Sequence, residues 1–220
     1  ALPILALQLQ VIFVSDWFLE AEEILDSPQV FPEPLSAGTI SAQVLPSGPD
    51  YPAANVAQLV VMLIHSAKER IVITTPYFIP NDALLQALDT AVRRGVDVHL
   101  VVSHVADQFL VCLAQKSYYE QLLESGVQIH LYRGKLLHAK HLSIDDTVSV
   151  IGSSNMDMRS FLLNAEVSLV FYDRDLTNHL RRQQERYFAA SDLLSADDWK
   201  NRPLRAIACE NLARLMSPLL

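Results

Sequence analysis

Cysteine and positive charge are both scarce in this chain. Cys112 and Cys209 lack the spacing of zinc ligands, which argues against a disulfide scaffold and a cysteine zinc site and suits a reducing compartment. The 17 Lys and Arg residues are outnumbered by 25 Asp and Glu residues, so the net charge is −8. Nonspecific nucleic-acid binders are basic as a rule, so any anionic ligand must be held here by a local cluster of donors.

A long hydrophobic run is missing as well. The apolar stretch from Ala1 to Val14 contains Gln8 and Gln10 and is shorter than the roughly 20 residues of a spanning helix. It also lacks the basic flank and the cleavage site of a signal peptide. The chain opens without Met inside a hydrophobic run, so we expect it to be a fragment of a longer protein.

Proline divides the chain into two parts. Six of the 11 prolines fall between Pro28 and Pro52, where the sequence predicts an extended connector with one strand at 39–45. Before it, residues 1–25 predict a strand-like run followed by an amphipathic helix. We therefore assign residues 1–52 to a connector and the tail of a preceding half, and residues 53–220 to one domain.

Helical and β-branched segments alternate after the connector. The periodicity predicts helices at 55–69, 82–94, 108–125, 176–190 and 202–216. It predicts strands at 70–75, 96–102, 127–132, 138–144, 148–152 and 166–172. This order is typical of an α/β protein, so we expect a layered α-β-α domain with a mixed, largely parallel central sheet.

Polar residues suited to catalysis or ligand binding cluster in one stretch of this domain. His138 and Lys140 are two residues apart on a predicted strand, so their side chains project to the same face. Asp145 follows that strand, and the segment Gly-Ser-Ser-Asn at 152–155 ends the next one. Small residues allow donors to approach a ligand closely, so the stretch predicts a pocket for a tetrahedral oxyanion such as phosphate. The alternative is a strand whose polar residues only face solvent.

The spacing H-x-K-x4-D followed by G-S-x-N resembles the signature of the phospholipase D superfamily. Further segments, at 73–80, 94–98, 117–120 and 155–161, resemble bacterial cardiolipin synthases. So do shorter ones at 16–18, 46–50 and 216–220. The similarity spans nearly the whole chain and corresponds to the C-terminal half of such an enzyme, with the tail of the preceding half.

The resemblance implies a phosphatidyltransferase that converts phosphatidylglycerol to cardiolipin and glycerol through a phosphohistidine. In the family two motifs meet in one site, where one histidine attacks phosphorus and the other transfers protons. The site residues implied are catalytic His138, Lys140 and Asp145, phosphate-binding Ser153 and Asn155, and supporting Glu166. Asp145 would orient or charge a histidine, and Glu166 would hydrogen-bond one. No metal or other cofactor is implied.

The chain has only one such motif, which leaves half of a site. The expected partners are therefore a missing N-terminal half or a second copy, together with phosphatidylglycerol and a membrane surface, and no nucleic acid. The expected location is the cytoplasmic face of the bacterial inner membrane. Two alternatives remain: a phosphodiesterase or nuclease acting as a dimer, and a catalytically incomplete half-domain that binds phospholipid. The last predicted helix either lies on an anionic bilayer or packs against the domain.

Overall fold

A computed structural model describes residues 2–32, 39–51, 55–105 and 107–217. The helices are α1 (Leu2–Ala21), α2 (Asn55–Ser66), α3 (Asp82–Arg93), α4 (Phe109–Lys116), α5 (Tyr119–Ser125), α6 (Met158–Leu162), α7 (Arg174–Ala189), α8 (Ala196–Lys200) and α9 (Leu204–Arg214). The strands are β1 (Ala42–Ser47), β2 (Arg70–Thr74), β3 (Phe78–Ile79), β4 (Asp97–Ser103), β5 (Gln128–Tyr132), β6 (His141–Ile144), β7 (Val148–Gly152), β8 (Met156–Asp157), β9 (Glu166–Tyr172) and β10 (Ser191–Leu193).

Eight of these strands form one mixed sheet in the order β1-β9-β7-β6-β2-β4-β5-β10. Only the pairs β2–β4 and β4–β5 are parallel, so the expectation of a largely parallel sheet is wrong. Helical crossovers connect those strands, whereas β6 and β7 are joined by a short turn at 145–147 that forces an antiparallel pair. The two edge strands also pair antiparallel with their neighbours.

Helices cover both faces of the sheet, which confirms the expected α-β-α layers. Along β2, Ile71 and Ile73 belong to the main core together with α2, α3 and α5. Val72 points to the other face, where Tyr187 and Phe188 of α7 pack against it. Successive side chains of a strand point to opposite faces of the sheet, so β2 is buried on both faces.

Two segments differ from the sequence prediction. Residues 2–21 form the single helix α1, not a strand-like run followed by a helix. The helix predicted at 108–125 is divided into α4 and α5 by Ser117 and Tyr118. The Ser117 hydroxyl donates to the backbone oxygen of Ala114 at 2.6 Å, a local bond that competes with helix continuation.

Strand β1 comes from the segment that we assigned to the connector, and it extends the sheet beside β9. The domain boundary at residue 52 stays a prediction. Within the described ranges, no helix combines the length and the apolar character that crossing a bilayer requires.

Candidate active site

The residues predicted to form a site concentrate at one edge of the sheet, with one exception. In the antiparallel register His141 of β6 lies opposite Thr74 of β2 and Ile151 of β7, and Gly152 of β7 lies opposite Ser168 of β9. The end of β2, the start of β6, the end of β7 and the start of β9 therefore meet at this edge, which we call the site edge.

His138 and Lys140 are in contact at the site edge, although they precede β6 instead of lying in it. The Lys140 ammonium is 3.1 Å from Nδ1 of His138 and donates to the His138 backbone oxygen at 3.0 Å. His138 is exposed and Lys140 is half-buried. Burial lowers the pKa of Lys140, while the charges of Glu166 and Asp157 act in the opposite direction. An imidazole open to solvent therefore lies beside a cation that is flanked by two carboxylates.

The end of β7 approaches Lys140 closely. The Gly152 amide donates to the Lys140 backbone oxygen at 3.2 Å. A Cβ at position 152 would lie 2.6 Å from both the Ser168 hydroxyl and the Val167 backbone oxygen, so only glycine fits. A cavity of about 20 Å³, enough for roughly one water, is lined by Lys140, Gly152 and Ser154 among others. Apolar side chains such as Val150 and Met156 make up most of the rest of its lining, so Lys140 and Ser154 border a small, mainly apolar space.

Ser153 and Asn155 have different environments. The Ser153 hydroxyl is exposed and accepts a hydrogen bond from the Val167 amide at 3.0 Å, so it already has a backbone partner. Asn155 hydrogen-bonds the Asp157 carboxylate. Its buried Oδ1 has no hydrogen-bond partner among the described residues. Because buried acceptors are normally satisfied, Oδ1 of Asn155 is available to a donor from a ligand or water.

Glu166 lies at the start of β9, opposite Ser47 of β1. Its carboxylate accepts a hydrogen bond from the side-chain amide of Asn164 at 3.5 Å. No histidine hydrogen-bonds it among the described residues, so its predicted contact with a catalytic histidine stays a prediction. Its nearness to Lys140 is evident from its effect on the pKa of that ammonium.

Asp145 is the exception, because the structure places it at the opposite edge of the sheet. The four residues of β6 separate it from Lys140, a span of about 13 Å. Its carboxylate accepts from the backbone amides of Lys68, Glu69 and Arg70, at 3.1, 2.8 and 3.0 Å. Among the described residues no histidine hydrogen-bonds this carboxylate, so the expected role of Asp145 in orienting a histidine stays a prediction. The alternation of side chains along a strand predicts the face of the sheet on which a residue lies. It does not predict at which edge of the sheet, the site edge or the opposite one, the residue is found.

Sequence reasoning missed two features of the site edge. Asp157 is buried and caps α6 by accepting from the Ser160 amide at 2.7 Å, and its burial raises its pKa. An Asp three residues before a Ser at the start of a short helix is a recognisable cap pattern. Tyr77 donates to Asp107 at 2.6 Å, and burial together with Asp107 raises its pKa to about 12. No sequence signal connects these two, because they come from separate loops.

Comparison with known proteins identifies the family of this chain. A family model described as "Cardiolipin synthase, PLD-like domain" matches residues 60–188, which include every predicted site residue. The chain belongs to this phospholipase D-like family. Cardiolipin synthase A of Pectobacterium carotovorum subsp. carotovorum (strain PC1) is 40% identical over 220 residues, which are 98% of this chain and 45% of that protein. Cardiolipin synthase A of Yersinia pseudotuberculosis (strain IP 31758) is 37% identical, with the same coverage.

This phospholipase D-like chain thus spans about half the length of the curated relatives that it matches. Among solved structures, phosphatidylserine synthase from Haemophilus influenzae superimposes with a TM-score of 0.66 at 19% identity, covering 84% of this chain and 49% of the other. Nuc from Salmonella typhimurium, a phospholipase D family member, has a TM-score of 0.60 at 23% identity, covering 71% and 99%. These two likenesses concern the fold. They agree with the phospholipase D-like fold expected from the motif.

Proposed function

We propose that this chain supplies half of the active site of a cardiolipin synthase-type phosphatidyltransferase. The observation that carries the proposal is the contact between His138 and Lys140, beside the close-packed end of β7. Identity of 40% with cardiolipin synthase A over the whole described domain supports the substrate class. The substrate is then phosphatidylglycerol and the products are cardiolipin and glycerol.

The reaction has two steps. In the first, a histidine nitrogen attacks phosphorus, the bond to the glycerol oxygen breaks, and a second histidine protonates the departing glycerol. In the second, the hydroxyl of another phosphatidylglycerol attacks the phosphohistidine, and its proton returns to the second histidine. We assign His138 the proton-transfer role. Lys140 would pair with a nonbridging phosphate oxygen, and the side-chain NH2 group of Asn155 would donate a hydrogen bond to the phosphate.

The second histidine must come from another polypeptide segment, because this chain carries one motif. Helix α1 supports such a partner, since it exposes Phe13, Phe18 and Leu19. A surface of this kind is typical of a protein interface. The partner is the missing N-terminal half of a two-motif enzyme or a second copy of this chain. The location that fits the substrate is the cytoplasmic face of the bacterial inner membrane.

Turnover of phosphatidylglycerol vesicles tests the proposal. The chain is assayed alone and after co-expression with the N-terminal half of the Pectobacterium relative, and cardiolipin formation is measured. We expect His138→Ala to abolish turnover and His65→Ala, which removes an exposed histidine on α2, to leave it unchanged. Activity that survives His138→Ala contradicts the proposal. Cleavage of DNA in place of phosphatidylglycerol would favour a nuclease. Inactivity of the chain both alone and with the N-terminal half would favour a half-domain that only binds phospholipid.

A mixing experiment distinguishes the two kinds of partner. If two copies share one site, adding His138→Ala protein to the wild-type chain lowers turnover more than dilution with buffer does, because mixed pairs contain a single catalytic histidine. If the partner is an N-terminal half, the added variant only competes for that half. In that case, excess N-terminal half restores the activity.

A further inference from the structure

Helix α9 has its large apolar side chains on the outside. Leu204, Leu212 and Leu215 are 82%, 69% and 75% exposed, whereas the buried residues are Glu210 and Ala213, at 3% and 2%. A helix that faces only water normally has the reverse arrangement, with apolar residues toward the core. The outward face of α9 is therefore built for contact with something other than water.

The exposed residues form a continuous stripe. Leu204, Ala208, Leu212 and Leu215 follow one another at intervals of four, four and three, which places them along one side of a helix. Cys209 is exposed beside the stripe. We call these residues the α9 stripe.

Polar contacts on the inner side fix the orientation of the helix. Glu210 accepts from Arg202 at 2.9 Å, and Arg202 in turn binds Glu120 at 2.9 Å. At the other end, the Arg214 guanidinium lies 4.3 Å from the ring centre of Tyr118. These contacts hold the inner side against α5 and its neighbours, so the α9 stripe stays outside.

The local charge is opposite in sign to that of the whole protein. Residues 202–217 contain three Arg and one Glu, and that Glu is buried against Arg202. The chain as a whole carries −8. The outward side of α9 thus combines leucines with the exposed Arg205. The exposed residues Asp197 and Asp198 belong to α8. That helix ends before Pro203, so both residues lie outside the α9 stripe.

We propose that α9 lies flat on an anionic phospholipid surface, with the α9 stripe inserted among the lipids and Arg205 paired with their headgroups. The exposed leucines supply apolar area to insert among lipids, and Arg205 beside them supplies a positive charge for anionic headgroups. The identity of the surface as phospholipid rests on the proposed function, whereas the use of α9 as the contact rests on its exposed side chains and charge.

The same surface leads toward the site edge. Helix α9 packs against α4, and α4 begins with Phe109 and Leu110, which are both exposed. Just before them, Asp107 binds Tyr77, which follows β2 at the site edge. A bilayer that contacts α9 and the start of α4 therefore reaches the side of the domain at which a phospholipid headgroup would meet His138.

A probe on Cys209 tests the contact directly. The full chain carrying Cys112→Ala is labelled at Cys209 with a fluorophore whose emission shifts to shorter wavelength in an apolar environment. It is then titrated with phosphatidylglycerol vesicles or with phosphatidylcholine vesicles. We expect the shift with phosphatidylglycerol and a much smaller one with phosphatidylcholine. A label on Met62→Cys in a Cys209→Ser chain, on an exposed position of α2, should not respond.

Substitutions then separate α9 from other apolar surfaces. Leu204→Ser combined with Leu212→Ser should weaken binding to phosphatidylglycerol vesicles by about tenfold or more, because binding scales with the apolar area inserted. Leu193→Ser, at a leucine of β10 that is 59% exposed, should change it little. The proposal is overturned if the chain binds vesicles while the emission of the Cys209 label does not shift. That result would indicate α1 as the membrane contact. The proposal is also overturned if the label responds to protein concentration without vesicles. Vesicle binding by α9 is measured independently of phosphatidylglycerol turnover. The proposed membrane contact and the proposed function can therefore each fail without the other.

Discussion

At the scale of single residues, Asp145 illustrates how a motif residue is used away from the chemistry. Its backbone adopts a φ of 49°, and its carboxylate accepts from three consecutive amides in the turn before β2. The side chain thereby connects the β6–β7 turn to the start of the neighbouring strand. Charge-assisted bonds of this kind contribute to the stability of the fold.

We therefore expect Asp145→Asn to lower the free energy of unfolding by about 1 to 2 kcal/mol, because the negative charge is lost and the Lys68 amide keeps only its 3.2 Å contact with Oδ1. Asparagine tolerates the same left-handed backbone, so strain does not add to the effect. Urea unfolding measures the difference. Asp146→Asn is the matched control, since Asp146 pairs only with the exposed Arg174 and should change stability by less than about 0.5 kcal/mol. Unchanged stability with lost turnover would restore a chemical role for Asp145.

At the scale of elements, periodicity predicted strands better than it predicted their directions. The bounds predicted for β7 and β9 match the structure, and α3 begins at residue 82 as predicted, where Asn81 caps it by accepting from the Leu84 amide. Strand direction depends on which distant segments pair, and this information is absent from any local window. Helix α1 was missed because its apolar residues surround it and leave no helical period.

The candidate site was predictable to a similar degree. The motif spacing predicted the contact of His138 with Lys140, which the structure forms even though both residues precede the strand. It could not predict that Asp157 would approach Lys140, because that nearness depends on β8 pairing with β3. Local spacing therefore identifies the donors, and the fold decides which carboxylates surround them.

The interface between α7 and the sheet contains buried histidines. Nδ1 of His141 in β6 accepts from the side-chain amide nitrogen of Gln184 in α7 at 3.2 Å, and the ring stacks on Tyr187. His99 and His130 contact each other at 3.0 Å on the same face. Burial lowers the pKa of both His130 and His141 to about 4. These side chains are therefore neutral in the fold at neutral pH.

Acid should weaken this interface. An unfolded histidine takes up a proton near pH 6.5, whereas His141 in the fold resists protonation until about pH 4. The unfolded state thus binds more protons between these values, and stability is lost as the pH falls from 6.5 toward 4, by on the order of 2 kcal/mol from His141. Urea unfolding of His141→Gln at pH 7, 6 and 5 should show a flatter pH dependence. His65→Gln, at an exposed histidine, should keep the wild-type slope; equal slopes in all three proteins would refute the argument.

At the scale of the whole molecule, the negative net charge makes the few cations near the site edge important. In the proposed function, Lys140 and nearby amide donors would bind the phosphate, because the net charge of the whole protein repels an anion. Two groups of exposed apolar side chains lie on α1 and α9. We assign them different partners. The outward side of α9 carries Arg205, which suits an anionic bilayer, whereas α1 contains Asp16 and Glu20 and no basic residue, which suits protein.

If α1 serves protein contact, the chain should self-associate in vesicle-free buffer. Leu19 is 68% exposed and Phe13 is 50% exposed, and water contact with both is unfavourable. We expect Phe13→Ser combined with Leu19→Ser to weaken self-association by about tenfold or more, measured by sedimentation velocity, because large apolar anchors dominate such interfaces. Met62→Ser, on the exposed side of α2, should have little effect. If turnover needs two copies, it should fall in parallel with the dimer fraction. A wild-type chain that sediments as a monomer at tens of micromolar would instead leave an N-terminal half as the partner for α1.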